Sequence, residues 1–418
     1  MKSPVWHPFT QHGLGEPIPL VTHADGAALF TADGRRIVDA ISSWWVTTHG
    51  HCEPRIMAAI SEQPRKLDQI IFAGWTHEPA ESLAYALLDI MPGALEHVFF
   101  SDSGSTSVEV ALKMALGFWA NTGRPRSRFV VMEGSYHGDT IGGMSVGARG
   151  VFNRTYAPLL FEVDVLPFPT EGCEDQTLSA LERHCRAPEP PAALIVEPLL
   201  LGAGGMLAYS PRVLEAMRAI CERHDVLFIA DEVMTGWGRT GTLLACEQAG
   251  VVPDILCLSK GLTGGSLPLA VTMATAPIFD AHRSDDRSKM FFHSSSYSAN
   301  PIACAAANAN VAIWREEPVL KRISALSEKQ ATRLAALEGV SGLTGQRRIG
   351  TVTAMKIGSG EGNYLSDLGP RLFAFFRDRN LLLRPLGNTV YVMPPYCIGD
   401  DDLDSIYDAI GEAAERFA

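Results

Sequence analysis

The sequence predicts an α/β fold: a large domain on a mainly parallel sheet, with a smaller α+β domain beside it. Three observations carry that expectation. Strand-like and helix-like segments alternate along most of the chain. Several of the strand-like segments are unbroken apolar runs, such as Phe129-Val-Val-Met132 and Val226-Leu-Phe-Ile-Ala230, which suit strands buried on both faces of a sheet. Beyond about residue 310 the texture changes to charged, amphipathic helices between short strands.

A strand at 97–100 leads into a helix at 105–120, with Val108, Ala111, Ala115 and Phe118 on its apolar side. Strands at 129–132 and 193–196 follow, the second after a stretch rich in proline and charge. A helix at 211–224 precedes the apolar strand 226–230, and 254–258 is the next strand. In the last part of the chain, helices are expected at 318–337, 368–379 and 402–417, and strands at 351–357 and 381–392. The expected boundaries are a large domain at 45–310 and a small domain built from both termini, 1–44 and 311–418.

Composition narrows the class. A chain of 418 residues is long for one core, and 46% apolar with 20% charged residues is ordinary for a globular protein. The net charge of −12, without any run of Lys and Arg, argues against nucleic acid or an anionic membrane surface as partner. No apolar stretch is long enough for a membrane span, and Met1 to Gln11 does not read as a signal peptide. The eight cysteines are scattered without a CxxC pair, which suits free thiols in a cytoplasmic protein.

The residues with chemistry lie at strand ends. The run 226–230 ends in Asp231-Glu232, and the run 254–258 ends in Ser259-Lys260-Gly261. In an open α/β sheet, ligands collect at the carboxyl ends of the strands. An amine and a carboxylate at one edge are what a pyridoxal phosphate site needs: the lysine forms an imine, and the carboxylate keeps the pyridine nitrogen protonated. Taken singly, Lys260 also reads as a surface lysine and Asp231 as a helix cap. Between strand and helix, Phe99-Phe-Ser-Asp102-Ser-Gly104-Ser105-Thr106 fits a phosphate cradle and, equally, a plain serine-rich N-cap. Tyr136 follows another strand and can lie flat on a ring, or simply belong to the core.

Together, SDSGSTSVEVALKMA, YHGDT, EPLLLGAGGM, ADEVMTGWGRTG and LSKGLTGG resemble the class III aminotransferases in order and spacing over most of the chain. That resemblance implies fold-type I, with a large domain on a seven-stranded-type sheet, and pyridoxal 5′-phosphate as cofactor. It implies Lys260 as the Schiff-base lysine and proton shuttle, and Asp231 as partner of the pyridine nitrogen. Gly104 and Ser105 would bind the phosphate, Tyr136 would stack on the ring, and Val233 would pack on its other face. Glu197 would lie near the cofactor hydroxyl or the substrate, and His137 would join the cofactor set. It also implies a homodimer with shared active sites, in which Ser295 and Ser296 reach the cofactor and Ser296 binds the phosphate across the interface.

Within the class, Trp6-His-Pro-Phe-Thr10, Ser42-Ser-Trp44-Trp45, Gly50-His51 and Leu383-Arg384-Pro385 to Tyr391-Val-Met-Pro-Pro395 resemble the members of biotin biosynthesis. Their acceptor is 8-amino-7-oxononanoate, a long aliphatic amino ketone ending in a carboxylate, and their donor is S-adenosylmethionine, or lysine in some relatives. The resemblance implies an apolar slot from Phe9, Trp44, Trp45, Tyr136 and Tyr391, with Ser294 nearby and Arg384 pairing with the carboxylate. Two departures stand out: Phe9 where relatives often have tyrosine, and Ser294-Ser295-Ser296 where they usually have Gly-Pro-Thr. The alternatives are an ω-amino acid–pyruvate or 4-aminobutyrate aminotransferase, or an aminomutase that needs no separate donor. Gly202-Ala-Gly204-Gly205 opens no helix and is not expected to bind a dinucleotide. His49, His51 and Cys52 lack the spacing of a metal site.

Overall fold

The computed structural model describes residues 3–358 and 364–418. Its centre is a seven-stranded sheet made of β1 (Leu95–Ser101), β2 (Phe129–Met132), β3 (Asp164–Leu166), β4 (Ala193–Val196), β5 (Leu227–Asp231), β6 (Ile255–Leu258) and β7 (Ala270–Thr275). They lie in the order β1-β7-β6-β5-β4-β2-β3. Only β7 runs against its neighbours β6 and β1; the other pairings are parallel. β7 and β3 are absent from the strands expected above. Residues 270–273 are buried, yet β7 follows a glycine-rich turn with no helical crossover to announce it.

Every residue of β2, β4, β5 and β6 is buried, as their apolar runs require. Alternate residues feed two cores. Ile195, Ile229, Ile255 and Cys257 pack with Val108, Ala111 and Ala115 of helix α1 (Gly104–Asn121). Leu194, Val196, Phe228, Ala230, Leu256 and Leu258 face the other way, onto Val213, Leu214 and Met217 of helix α2 (Pro211–Arg223). Helices therefore cover both faces of the sheet. α1 starts at a capping box: Ser103 accepts from the Thr106 N–H, and the Thr106 hydroxyl accepts from the Ser103 N–H.

The last part of the chain forms an antiparallel sheet of Leu343–Ile349, Val352–Ile357 and Thr389–Val392. Helices α3 (Val319–Ala336), α4 (Leu368–Asp378) and α5 (Asp400–Phe417) accompany it. The strand expected at 381–392 is two pieces in different sheets. Leu381–Leu382 pairs in parallel with Arg36–Asp39 of the N-terminal meander, while Thr389–Val392 joins the antiparallel sheet. Pro385 and the left-handed Gly387 turn the chain between them. Residues from both ends of the chain share one apolar cluster, including Val38, Ile41, Trp45, Leu372, Tyr391 and Ile406. Among the described residues no helix is long and apolar enough to cross a membrane.

Candidate active site

β5 and β6 are neighbours, with Asp231 beside Cys257 in the register, so Asp231 and Lys260 emerge at one sheet edge. A cavity of about 210 Å³ opens there, lined by Gly104, Ser105, Tyr136, His137, Glu197, Asp231, Val233 and Lys260, among others. All eight cofactor residues expected within one chain therefore come together.

Lys260 sits just past β6 with a left-handed backbone, φ +46°. Such a conformation in a non-glycine residue persists only where its surroundings hold it. Asn310 does so: its Nδ2 donates to the carbonyls of Gly261 and Leu262, each at 3.0 Å. The Asn310 side-chain oxygen in turn accepts from His49 Nε2 at 2.9 Å. Burial pushes the His49 imidazole down to about 4, which keeps it neutral. Burial also lowers the Lys260 amine, against the opposing pull of Asp231 and Glu197, and the Arg239 charge adds to the lowering. The amine is thus easier to deprotonate than an exposed lysine.

The Asp231 carboxylate is fixed on both oxygens. Oδ1 accepts from the Val233 N–H at 3.1 Å, and Oδ2 lies 2.7 Å from His137 Nδ1. Glu197 accepts from the N–H groups of Tyr136 and Gly202, both at 2.9 Å. Burial raises its carboxyl to about 7, with His137 lowering it and Asp231 raising it less. Burial, then the nearby Asp139 charge, pushes the Tyr136 phenol well up, so it stays protonated.

The N-terminus of α1, where the first backbone N–H groups of a helix lack intrahelical partners, suits a phosphate. A Cβ on Gly104 would meet Val233 Cγ1 at 2.6 Å, and one on Gly138 would run into the Ser105 side chain. Both glycines keep space at the cradle that a side chain would fill. Amine, carboxylate, cradle and the buried His137 Nε2, which has no partner among the described residues, suit pyridoxal phosphate.

A second cavity, of about 350 Å³, adjoins the first through Trp45, Tyr136 and Lys260. Phe9, Trp44, Arg384 and Tyr391 line it, joined by Phe152 and Tyr364, which no local pattern marked in advance. Phe9 meets Trp44 and Phe152 edge-on, at 5.5 and 6.0 Å between ring centres. Tyr391 is a wall residue whose buried hydroxyl accepts from Trp45 Nε1 at 2.9 Å. Arg384 donates to the Phe9 carbonyl at 3.0 Å and lies over the Trp44 ring, and it has no carboxylate partner among the described residues.

The serine loop does not join either cavity of the single chain. Ser295 Oγ donates to Asp102 Oδ2 at 2.8 Å, the Ser296 carbonyl accepts from Gln69 at 2.6 Å, and Ser294 is exposed. The residues of the rejected metal reading are used otherwise, His51 beside Asp39 and His49 on Asn310.

Fold and site together define a pyridoxal-phosphate-dependent transaminase. Residues 10–414 match the family Aminotransferase class-III, and the chain belongs to that family. It is 45% identical to the adenosylmethionine-8-amino-7-oxononanoate aminotransferase of Synechococcus elongatus, over 99% of this chain and 98% of that protein. It is 39% identical to the enzyme of the same name from Mycobacterium leprae, over 98% of this chain and 94% of that one. Among solved structures, the same enzyme from Methanocaldococcus jannaschii superposes with a TM-score of 0.94 at 32% identity, covering 99% of this chain and 97% of that one. An amine transaminase from an uncultivated Pseudomonas species, in its pyridoxal-phosphate-bound form, superposes with a TM-score of 0.93 at 30% identity, covering both chains fully.

Proposed function

We propose that this transaminase moves the amino group of S-adenosylmethionine to 8-amino-7-oxononanoate, giving 7,8-diaminononanoate for biotin biosynthesis. The observation that carries the reading is the join of two cavities: a polar chamber around Lys260 and Asp231, opening onto an aromatic slot with Arg384 in its wall. The relatives that share this chain end to end bear the names of that donor and acceptor.

Pyridoxal phosphate, when bound, carries the amino group between substrates and takes up the electrons left when a proton leaves carbon. The protein supplies the rest. Asp231, held by His137 and the Val233 N–H, would accept from the ring nitrogen and keep it protonated. The α1 N-terminus at Gly104 and Ser105 would hold the phosphate. Tyr136 and Val233 would flank the ring, and Glu197, whose carboxyl burial raises to about 7, would offer a proton to an oxygen beside it. Lys260, with its lowered basicity, takes the proton from the donor carbon and returns one to the acceptor carbon. One pocket serves donor and acceptor in turn, so Arg384 pairs with the carboxylate of either.

The loop Ser294-Ser295-Ser296 does not line its own chain's two cavities, which supports a homodimer in which Ser296 reaches the phosphate of the second copy. A cytoplasmic location fits the enzyme's small soluble substrates. The test is single turnover with purified enzyme. The amine-loaded enzyme should convert 8-amino-7-oxononanoate, and S-adenosylmethionine should reload it, both followed by absorbance. Reloading by lysine instead would change the donor only. Amination of pyruvate or succinic semialdehyde alone, or rearrangement without any donor, would sink the reading.

A further inference from the structure

We propose that Asp39 is a positioning residue for the substrate slot, acting through a left-handed turn that aims Trp44 and Trp45. Ser42, Ser43, Trp44 and Trp45 have φ of +53°, +45°, +70° and +73°. L-residues visit this region singly and rarely, so four in succession, two of them bulky, stand only where tertiary contacts hold them.

Asp39 supplies those contacts on the N–H side. Its Oδ1 accepts from the N–H groups of Ser43 at 2.9 Å and Ile41 at 3.3 Å. Its Oδ2 accepts from the Ser43 hydroxyl at 2.8 Å and lies 2.9 Å from His51 Nε2. The residue is 0% exposed, so all four contacts act in a dry setting. Arg239 holds the carbonyl side. It is buried, has no carboxylate partner among the described residues, and donates to the carbonyls of Thr47 at 2.8 Å, Pro394 at 3.1 Å and Trp45 at 3.4 Å.

The turn delivers two indoles to two places. Trp45 is buried, donates to Tyr391, and has its ring 5.3 Å from the Lys260 amine. Trp44 is 40% exposed in the second cavity, between Phe9 and the Arg384 guanidinium. Among the described residues no hydrogen bond of the Trp44 side chain is present, so its direction is set by its backbone and by packing. Without Asp39 the Ser43 N–H loses its acceptor, the run relaxes toward the ordinary right-handed region, and Trp44 leaves the slot. Among the described residues no hydrogen bond joins Asp39 to Lys260, Asp231, Gly104 or Ser105, so the loss falls chiefly on the slot, with Trp45 the one link from the turn to the Lys260 amine.

The inference rests on the acceptor named above for its kinetic test, and an independent spectroscopic test stands beside it. On the cofactor-loaded enzyme, Asp39→Ala should raise KM for 8-amino-7-oxononanoate by about 10–100-fold, with kcat moved much less. Placed on Trp44→Ala, it should add less than about threefold, because both changes remove the same wall. Asp39→Asn, which keeps an oxygen for the Ser43 and Ile41 N–H groups, should recover most of the loss. In the cofactor-free chain, the change that Asp39→Ala makes in near-ultraviolet circular dichroism should reproduce that of Trp44→Ala. Should Asp39→Ala fail to fold, Ser43→Ala, which deletes one hydroxyl, carries the same comparison. Equal losses in both backgrounds, or an aromatic spectrum unchanged by the substitution, would overturn the proposal. An enzyme that never turns over this ketone would sink the acceptor alone, leaving the spectrum to decide the role of Asp39.

Discussion

His137 Nδ1 and Asp231 Oδ2 meet at 2.7 Å, both side chains buried, with His137 Nε2 lacking a partner among the described residues. Among the described residues Asp231 has one other donor, the Val233 N–H. A hydrogen bond to a charged group is worth about 1.5–3 kcal/mol, which is roughly 10–150-fold in affinity. Titrating cofactor into the cofactor-free His137→Phe variant should therefore show pyridoxal phosphate binding weakened by at least about tenfold. Unchanged affinity would show that Asp231 needs no help from His137.

Lys260 is the amine in the chamber, and its backbone is held by Asn310. Lys260→Ala should abolish the visible absorbance of the covalently held cofactor and lower turnover by orders of magnitude. Asn310→Ala leaves the amine but frees the carbonyls of Gly261 and Leu262. It should lower kcat by roughly tenfold while the absorbance survives. Turnover retained by Lys260→Ala would sink the assignment of the whole chamber.

The chemistry of this site was legible where it follows from local pattern. Asp231 and Lys260 each end an unbroken apolar run, so their strands and the shared edge can be read from the residues alone. Glu197 follows β4, but its part in the site was legible only through resemblance. The slot was legible only through resemblance, since Phe9, Trp44 and Arg384 come from distant segments with no common period. Asp39 escaped notice, and the parts His51 and Arg239 play beside the turn went unread, because their meaning is tertiary. No glycine or asparagine marks Ser42–Trp45 as left-handed, and the turn is explained by the Asp39 carboxylate and the Arg239 guanidinium folded against it. The break at 383–388 was missed because apolar residues on both sides of Pro385 imitate one strand. Ser294 to Ser296 could not be placed from one chain, for the cavity they are expected to serve is not their own.

Arg384 lines the slot with its guanidinium over Trp44 and without a carboxylate partner among the described residues. A substrate carboxylate would complete it. Arg384→Ala should reduce specificity for 8-amino-7-oxononanoate by about 2–4 kcal/mol, the range for losing one side of a desolvated charge pair. The methyl ester of the same ketone should lose far less. Equal losses for acid and ester would show that the guanidinium does not meet the carboxylate.

Glu197 gives a test that needs no substrate. Burial, the largest influence, lifts its carboxyl from 4.5 to about 7, so the folded chain favours the protonated form. Below the unfolded value both states hold the proton, and the contribution to stability is fully present. As pH rises through the window between the two values, the unfolded chain releases its proton and the folded chain does not, so stability falls. Above the folded value both are ionised and the loss levels off. The span corresponds to roughly 3 kcal/mol at most. Melting curves of the cofactor-free chain at about pH 5 and about pH 7.5 should show this decline, and Glu197→Gln should remove much of it. Gln keeps one oxygen for the N–H of Tyr136 or Gly202 and cannot ionise, so its own stability at the lower pH should be somewhat reduced. If wild type and variant fall by the same amount across the window, the buried carboxyl does not titrate there, and its place as a proton donor at neutral pH is lost with it.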